Sequence, residues 1–591
     1  MMTVRGNVDT LDESALRAEI TRLEKLNKER LLECGKLLKE LCNSDNSVAN
    51  HRVFLGHSSA LEGKVDGPIC LTLCDPLLKL QTVWTHVMQA ERLVALSCAG
   101  ALNLAELLPS KSLRVLELSG LSVSCAESLG SLESLEEVSL RCMNVSAEVL
   151  RGVAALPNLA RFVLDEVENV VDASVISEMR MLSELEILNC PRLHGNIDFS
   201  QLMFLRKLEV AGTGTAACDD LVQQVAQCEF MQELHLLDCG AITDITPVLG
   251  MRALEVLCLS NIPKVELREG NEHRLPPLRV LRLTDSGVTD EAVAVLLRAG
   301  SLEEVSFLGC PITTVSPPVP LERLKVLDLS WCTRMRSLGA ASHMPALERL
   351  LLRATPVADE YVGAVLSDAL SELDLRCWGT LSENTVARVT SIGTLRVLRL
   401  DSLGSAALHQ LCLLQVLEVC GASITNDVIG AVAELCVELK CLSLIQCRGV
   451  TNVGALASLK ALWKLHLSGL GGGEGIVGVV ALRQLIELTL DGSFVTNDVI
   501  LHVSESKALS TLCVRRAKHL SDVSHLSEVS TLDSVTFCDC DGILIGLMTR
   551  AGDGPSPLCT ASRITFSHMN VPDKVLRLLG PGPNIMHINL E

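Results

Sequence analysis

Aromatic residues are scarce in this 591-residue chain, at 2% of the total with a single Tyr. Wide globular cores draw heavily on aromatic rings. Their scarcity speaks for thin layers of aliphatic side chains, and the length exceeds what one ordinary core sustains. Several domains or a stacked array remain. Positive charge is also short: 51 Lys and Arg stand against 71 Asp and Glu, a formal net charge of −20. Phosphate backbones and anionic lipid surfaces select basic patches, so neither nucleic acid nor a membrane surface is the expected partner. No apolar run of membrane-spanning length occurs. The opening residues MMTVRGNVDTLDESALRAEI hold no apolar signal core, and Asp9, Asp12 and Glu13 disfavour a mitochondrial presequence. The expectation is a cytoplasmic, reducing setting. There the 24 cysteines stay as free thiols and pack as small core residues.

Catalytic and cofactor signatures are equally thin. The stretch GLGGGEGIVG, Gly469 to Gly478, lacks the G-K-[ST] ending that brings Lys to a phosphate and a hydroxyl to magnesium. It reads as a flexible glycine loop replacing a turn. CDCDG, Cys538 to Gly542, has no second knuckle at zinc-ligand spacing, and Cys436, Cys441 and Cys447 are too scattered for one. Neither H-E-x-x-H nor a G-x-S-x-G elbow stands out among the motifs. No cofactor, no metal and no enzymatic activity are expected.

What is abundant is a repeated hexamer, apolar-x-x-apolar-x-apolar. It appears as Leu113, Leu116 and Leu118, again as Leu135, Val138 and Leu140, and as Leu205, Leu208 and Val210. Further copies are centred on Leu257, Leu281, Leu327, Leu350, Leu373, Leu398, Leu417, Leu442, Leu465, Leu488 and Leu512. From Leu71 to Ile588 the mean spacing is about 23.5 residues. Alternate strand residues face opposite sides. The last two apolar residues of each hexamer therefore point to a core, and the third and fifth hexamer residues point away. One such unit cannot bury its own apolar face, but stacked units form a parallel sheet over a continuous core.

The residues after each hexamer describe a turn. Cys190, Cys239, Cys310, Cys332, Cys447 and Cys540 each lie three residues past the last apolar strand residue, where a small hydrogen-bond donor suits a turn. Then come GVTDEAV from Gly287, SITNDVI from Ser423, FVTNDVI from Phe494 and AITDITP from Ala241. In each, an apolar plug is followed by Thr, Asp or Asn able to cap a short helix.

On these L-x-x-L-x-L-x-x-C and V-T-D or V-T-N elements the chain resembles the leucine-rich repeat family. It is most similar to the roughly 23-residue, cysteine-containing repeats of kinetoplastid proteins, some of them named adenylate cyclase regulatory proteins. The resemblance covers residues 67–591 in about 23 repeats. It implies an α/β solenoid, a curved horseshoe with a parallel sheet on its concave face and short helices or turns on its convex face. It also implies a protein–protein interaction scaffold, or alternatively a regulatory subunit of an adenylate cyclase or a substrate receptor of a ubiquitin ligase. Some relatives carry a RING module before the repeats; here only Cys34 and Cys42 precede them, so none is expected.

Residues 1–10 are expected to be disordered. In 11–42, Leu16, Ile20, Leu23, Leu26, Leu31, Leu37, Leu38 and Leu41 recur at three- and four-residue steps among charges, the pattern of an amphipathic helix. Such a helix caps the array, or forms a short coiled coil for self-association. Residues 43–66 read as a linker or irregular cap. On the outward strand positions, twelve acids outnumber the bases: Glu117, Glu137, Glu184, Glu186, Glu209, Glu233, Glu304, Asp328, Glu372, Asp374, Glu418 and Glu487. Arg161, Lys207, Arg282, Arg349, Arg399 and Lys464 share those positions, with Val between. The expectation is an acidic concave face that binds a protein partner with a basic surface.

Overall fold

The computed structural model describes residues 51–55, 69–73 and 90–590, except for 97–100, 109, 121, 168, 170–171, 194–195, 214–217, 268–274, 340–342, 378–380, 402, 404–410, 550–557, 559–560 and 580–586. The expected helix of 11–42 lies outside the described residues. The chain divides into two compact units, Met1–Leu278 and Arg279–Glu591.

In the first unit the described residues hold ten main-sheet strands, among them Val115–Ser119, Glu137–Arg141, Arg161–Asp165, Glu184–Leu188, Lys207–Ala211, Glu233–Leu237 and Val256–Ser260. Successive strands pair in parallel and in sequence order. A strand at His51–Leu55 pairs with Ile69–Leu73 in the same sense. The segment read as a linker or cap therefore contains a strand. Register stacks like on like: Leu185, Leu208, Leu234 and Leu257 are aligned across four strands, each at most 1% exposed. A fully buried Leu contributes roughly 1.5–3 kcal/mol, so this column repeats the dominant stabilising contact at every step.

The second unit follows the same plan with fourteen main-sheet strands among the described residues, from Val280–Thr284 to His587–Leu590. Leu417, Leu442, Leu465, Leu488 and Leu512 form its corresponding column. In both units the burial pattern alternates along the strands, as in Val115–Ser119 and Cys441–Ile445. Each unit is a leucine-rich-repeat solenoid of the α/β class, with short helical segments between parallel strands.

The turn off the sheet has a repeated construction. Asn189, Asp238, Gln446 and Asp539 take left-handed backbone, with φ between 51° and 55°. This step turns the amide toward the next repeat, where Asn189 donates to the Ala211 carbonyl at 2.7 Å and Gln446 to that of Ser468 at 2.8 Å. Next comes the cysteine. The Cys310 thiol donates to the Leu283 carbonyl of the preceding repeat at 3.3 Å, and that of Cys332 to Phe307 at 2.9 Å. Thr355 fills the position in another repeat, donating to the Leu329 carbonyl at 2.6 Å. Burial pushes the Cys332 and Cys447 thiols up to about 12. They act as hydrogen-bond donors and packing groups.

Three of the short helices begin directly after the Thr of the turn signature, and Thr289 and Thr496 cap theirs while Thr425 makes no cap bond; the turn after Ala241 starts only at Thr246. Thr289 accepts from the Ala292 amide at 3.2 Å and Thr496 from that of Val499 at 3.5 Å. The Asp or Asn that follows does something the sequence reading did not separate from capping. Asp290 accepts from the Thr313 amide of the next repeat at 2.8 Å, and also from the Thr313 hydroxyl. Asn426 accepts from Thr451 and Asn452, and Asn497 from Ser521 and Asp522. Asp219 does the same for Thr243 and Asp244 in the first unit. The residue is a clamp between consecutive repeats.

The glycine loop corrects the expectation of flexibility. The Gly471 amide donates to the Val450 carbonyl at 2.9 Å. A Cβ on Gly471 would meet the Arg448 carbonyl oxygen at 2.3 Å. Gly475 has φ +78°, and its Cβ would meet the Gly454 backbone at 2.5 Å. The glycines let this turn lie close on the one before it.

Candidate functional site

All twelve acids predicted from the sequence stand on the outward side of the strands, but they are not alone there. In the first unit three glutamates converge on one guanidinium. Arg161 Nη2 lies 2.9 Å from Glu186, Nε 3.5 Å from Glu184 and Nη1 3.9 Å from Glu137. Lys207 sits between Glu186 at 3.3 Å and Glu209 at 3.9 Å. Glu117 pairs with Arg92, and Glu233 lies 3.8 Å from His235. Parallel register explains the gathering: Arg161 is flanked by Glu137 and Glu184, and Lys207 by Glu184 and Glu233.

The second unit is closer to balance. Arg282 pairs with Glu304 at 2.7 Å, and Glu372 accepts from Arg349 at 2.6 Å and from Arg399 at 2.7 Å. Arg376 joins Asp374 at 2.5 Å to Glu418 at 2.8 Å. Lys464 meets Glu487 at 2.7 Å. Asp328 accepts from the Ser330 amide at 2.9 Å. Ten of the twelve acids thus pair with a Lys or Arg, Glu233 with a histidine, and Asp328 with a backbone amide. Two are almost covered, Glu186 at 7% and Asp374 at 5% exposed. Val163, expected to be exposed, is also buried by its neighbours.

Charge and burial compete at these carboxylates. Burial raises the Glu186 carboxyl, but Arg161 and Lys207 more than offset it and hold it below the usual range. Burial likewise opposes ionisation of Glu372, and Arg399 and Arg349 prevail. On the same face of the second unit, burial keeps the His466 imidazole below its usual value. Its Nδ1 lies 3.2 Å from the Ser443 hydroxyl.

Reading only the third and fifth hexamer positions missed a further outward row. Strand alternation continues to the seventh residue, which brings out Arg141, Asp165, Arg376, Asp491 and Arg515. Arg141 pairs with Asp165 at 3.3 Å, and Asp491 with Arg516. Extending the period of two by one more residue would have found them.

The acid excess is therefore local. From Glu137–Arg141 to Glu233–Leu237, five glutamates (137, 184, 186, 209 and 233) face Arg161 and Lys207. The least covered members are half-buried, with the side chains of Glu137 and Glu233 45% exposed and that of Glu184 42%. A cavity of about 210 Å³ in the same unit is lined by Phe199, Val210, Thr213, Cys218, Asp220 and Gln224, among others. Its ionisable groups are one carboxylate and one thiol, which do not form the paired acid and base of a proton-transfer site.

No protein-family model matches the sequence. The chain is similar to solved structures of leucine-rich-repeat proteins. A TLR13–ssRNA13 complex aligns at 14% identity and a TM-score of 0.45, over 88% of this chain and 86% of that one. The plant peptide hormone receptor RGFR1, in complex with RGF2, aligns at 11% identity and 0.38, over 85% and 95%. A leucine-rich-repeat protein of Leptospira interrogans aligns at 14% identity and 0.35, over 87% and 99%.

Proposed function

We propose that this chain is a non-catalytic protein-binding scaffold, and that a partner protein docks basic side chains on the outward sheet face between residues 137 and 237. The observation that carries this reading is the glutamate excess around Arg161 and Lys207. Four carboxylates share two cations and Glu233 has only His235 beside it, and Glu137, Glu184 and Glu233 are the most exposed of the five, on a sheet whose backbone is fixed on both sides. A basic partner group would complete the neutralisation without reorganising the site. The other acids are largely matched within the protein, which leaves this segment as the attractive part of the face. A cytoplasmic, reducing setting belongs to the same proposal, since six of the cysteines use their thiols as turn donors.

The test begins with partners tagged by proximity labelling in the native cell. Binding of each purified partner is then measured by calorimetry to the wild type and to a Glu137→Gln, Glu184→Gln, Glu233→Gln triple variant. Glu186 is left intact because it is an almost covered member of the ion-pair cluster. The expected result is at least tenfold weaker binding, about 1.4 kcal/mol, with a smaller dependence on salt. An unchanged Kd for every partner would remove this face as the docking site.

A further inference from the structure

A thiol, a carboxylate and an imidazole meet at the ends of two neighbouring strands in the second unit. Cys538 closes the strand Ser534–Cys538, and Asp539 takes the left-handed step after it, with φ 52°. His568 takes the same step after Arg563–Ser567, with φ 53°. The two strands run in register, with Cys538 opposite Ser567, so the two left-handed residues stand side by side. Cys538 Sγ lies 3.4 Å from Asp539 Oδ2 and 3.6 Å from His568 Nδ1. All three donor atoms fall within 4.8 Å of one another.

Those separations suit a tetrahedral metal ion. In a tetrahedral zinc site, with Zn–S of about 2.3 Å and Zn–N or Zn–O of about 2.0–2.1 Å, the sulfur lies about 3.5 Å from each lighter donor. Both sulfur distances fall on that value. At left-handed steps of the first unit, neighbouring side chains make simple polar pairs, such as Asn261 donating to Asp238 at 2.5 Å and Cys142 to Glu166 at 3.0 Å. Among the described residues this is the one place where three such donors converge. The nearby cations are engaged by other groups: Arg515 Nε donates to Cys513 Sγ at 3.3 Å, and Arg516 pairs with Asp491.

We infer that Cys538, Asp539 and His568 form a binding site for a single zinc-class divalent ion. Asp539 and His568 are exposed, so the fourth coordination position opens to solvent. On binding, the thiol gives its proton to water and the thiolate coordinates the ion. The ion then bridges two repeats through three side chains. At this step the backbone joins them with one hydrogen bond, from the Asp539 amide to the Ser567 carbonyl at 3.3 Å. CDCDG alone does not disclose such a site, because the third ligand is not near it in sequence. It lies one repeat further on, where stacking rather than spacing brings it alongside.

The experiment uses the full chain, reduced and stripped with a chelator. It is titrated with Co(II), then back-titrated with Zn(II). The expected result is one equivalent of Co(II) with sulfur-to-cobalt charge-transfer absorption, displaced by Zn(II). Affinity should fall at least tenfold in both Cys538→Ser and His568→Asn, and stay at the wild-type value in Cys142→Ser. Asparagine suits left-handed backbone, so His568→Asn removes the imidazole while keeping the turn. Circular dichroism of each metal-free variant verifies the fold. Binding that is unchanged in both Cys538→Ser and His568→Asn would place the ion on other thiols and overturn the inference. So would a wild type that binds no tighter than about 10 µM.

Discussion

At the scale of single residues, two small polar groups, the turn donor and the clamp, tie several of the repeats to their neighbours. The turn cysteine is valued for its donor, because Thr355 performs the same task with a hydroxyl. Cys310→Ala is therefore expected to destabilise the second unit by about 1–2 kcal/mol through a lost hydrogen bond and a small void. Cys310→Thr should retain most of the stability. Urea denaturation of the three proteins checks this, and equal losses for Ala and Thr would contradict it. The inter-repeat clamp makes a parallel case. Asp290→Ala leaves the Thr313 amide without its partner and should cost about 1–2 kcal/mol. Asp290→Asn should cost little, since Asn426 and Asn497 perform the same task in their repeats. Hydrogen exchange at Thr313 reads the clamp directly: faster exchange is expected in Asp290→Ala and not in Asp290→Asn. The T-D and T-N signatures were legible as helix starts because the Thr cap is a local interaction. Their second residue was not legible as a clamp, because its partner is a repeat away and a cap and a clamp use the same side chains.

At the scale of strands, the hexamer discloses which residues meet the core and which face outward, because a period of two is a property of extended backbone itself. It does not disclose how the outward residues arrange their charge. That depends on which residues register places side by side, and on long Arg side chains such as Arg376 spanning from Asp374 to Glu418. The pairing has a pH signature. Glu186, Glu372 and Asp491 have carboxyl groups held below their ordinary values in the folded protein. The unfolded chain binds protons at higher pH than the folded one, so their stabilisation is complete above the ordinary carboxylate range. It is lost as pH falls through the lowered values. Melting temperature is accordingly expected to hold between pH 7 and about pH 5 and to drop below about pH 4. In a Glu186→Gln, Glu372→Gln double variant the drop should be shallower, from a lower starting point. An identical slope for variant and wild type would show that these pairs contribute nothing to acid unfolding.

At the scale of the molecule, the net charge of −20 and the acids at outward strand positions suggested an acidic face for binding. The structure distributes that charge unevenly. Most face acids are answered by a neighbouring base, and the excess gathers between residues 137 and 237. The repeat, the aliphatic core and the turn chemistry were all readable because each recurs and is local. The acid cluster and the Cys538–Asp539–His568 group depend on contacts between repeats, which no single copy contains. The clamp has a consequence for how such a chain changes size. Its acceptor is offered to whatever turn comes next, and it meets the short strand Thr314–Val315 after Asp290 no differently from the 3-10 turn Gly454–Ser458 after Asn426. A whole repeat can then be duplicated or deleted with every remaining junction still matched, whereas gaining or losing a few residues inside a repeat mismatches the junction on each side. Length in these units is thus quantised in steps of one repeat, and the array can be lengthened or shortened like a measured tape without redesigning its core.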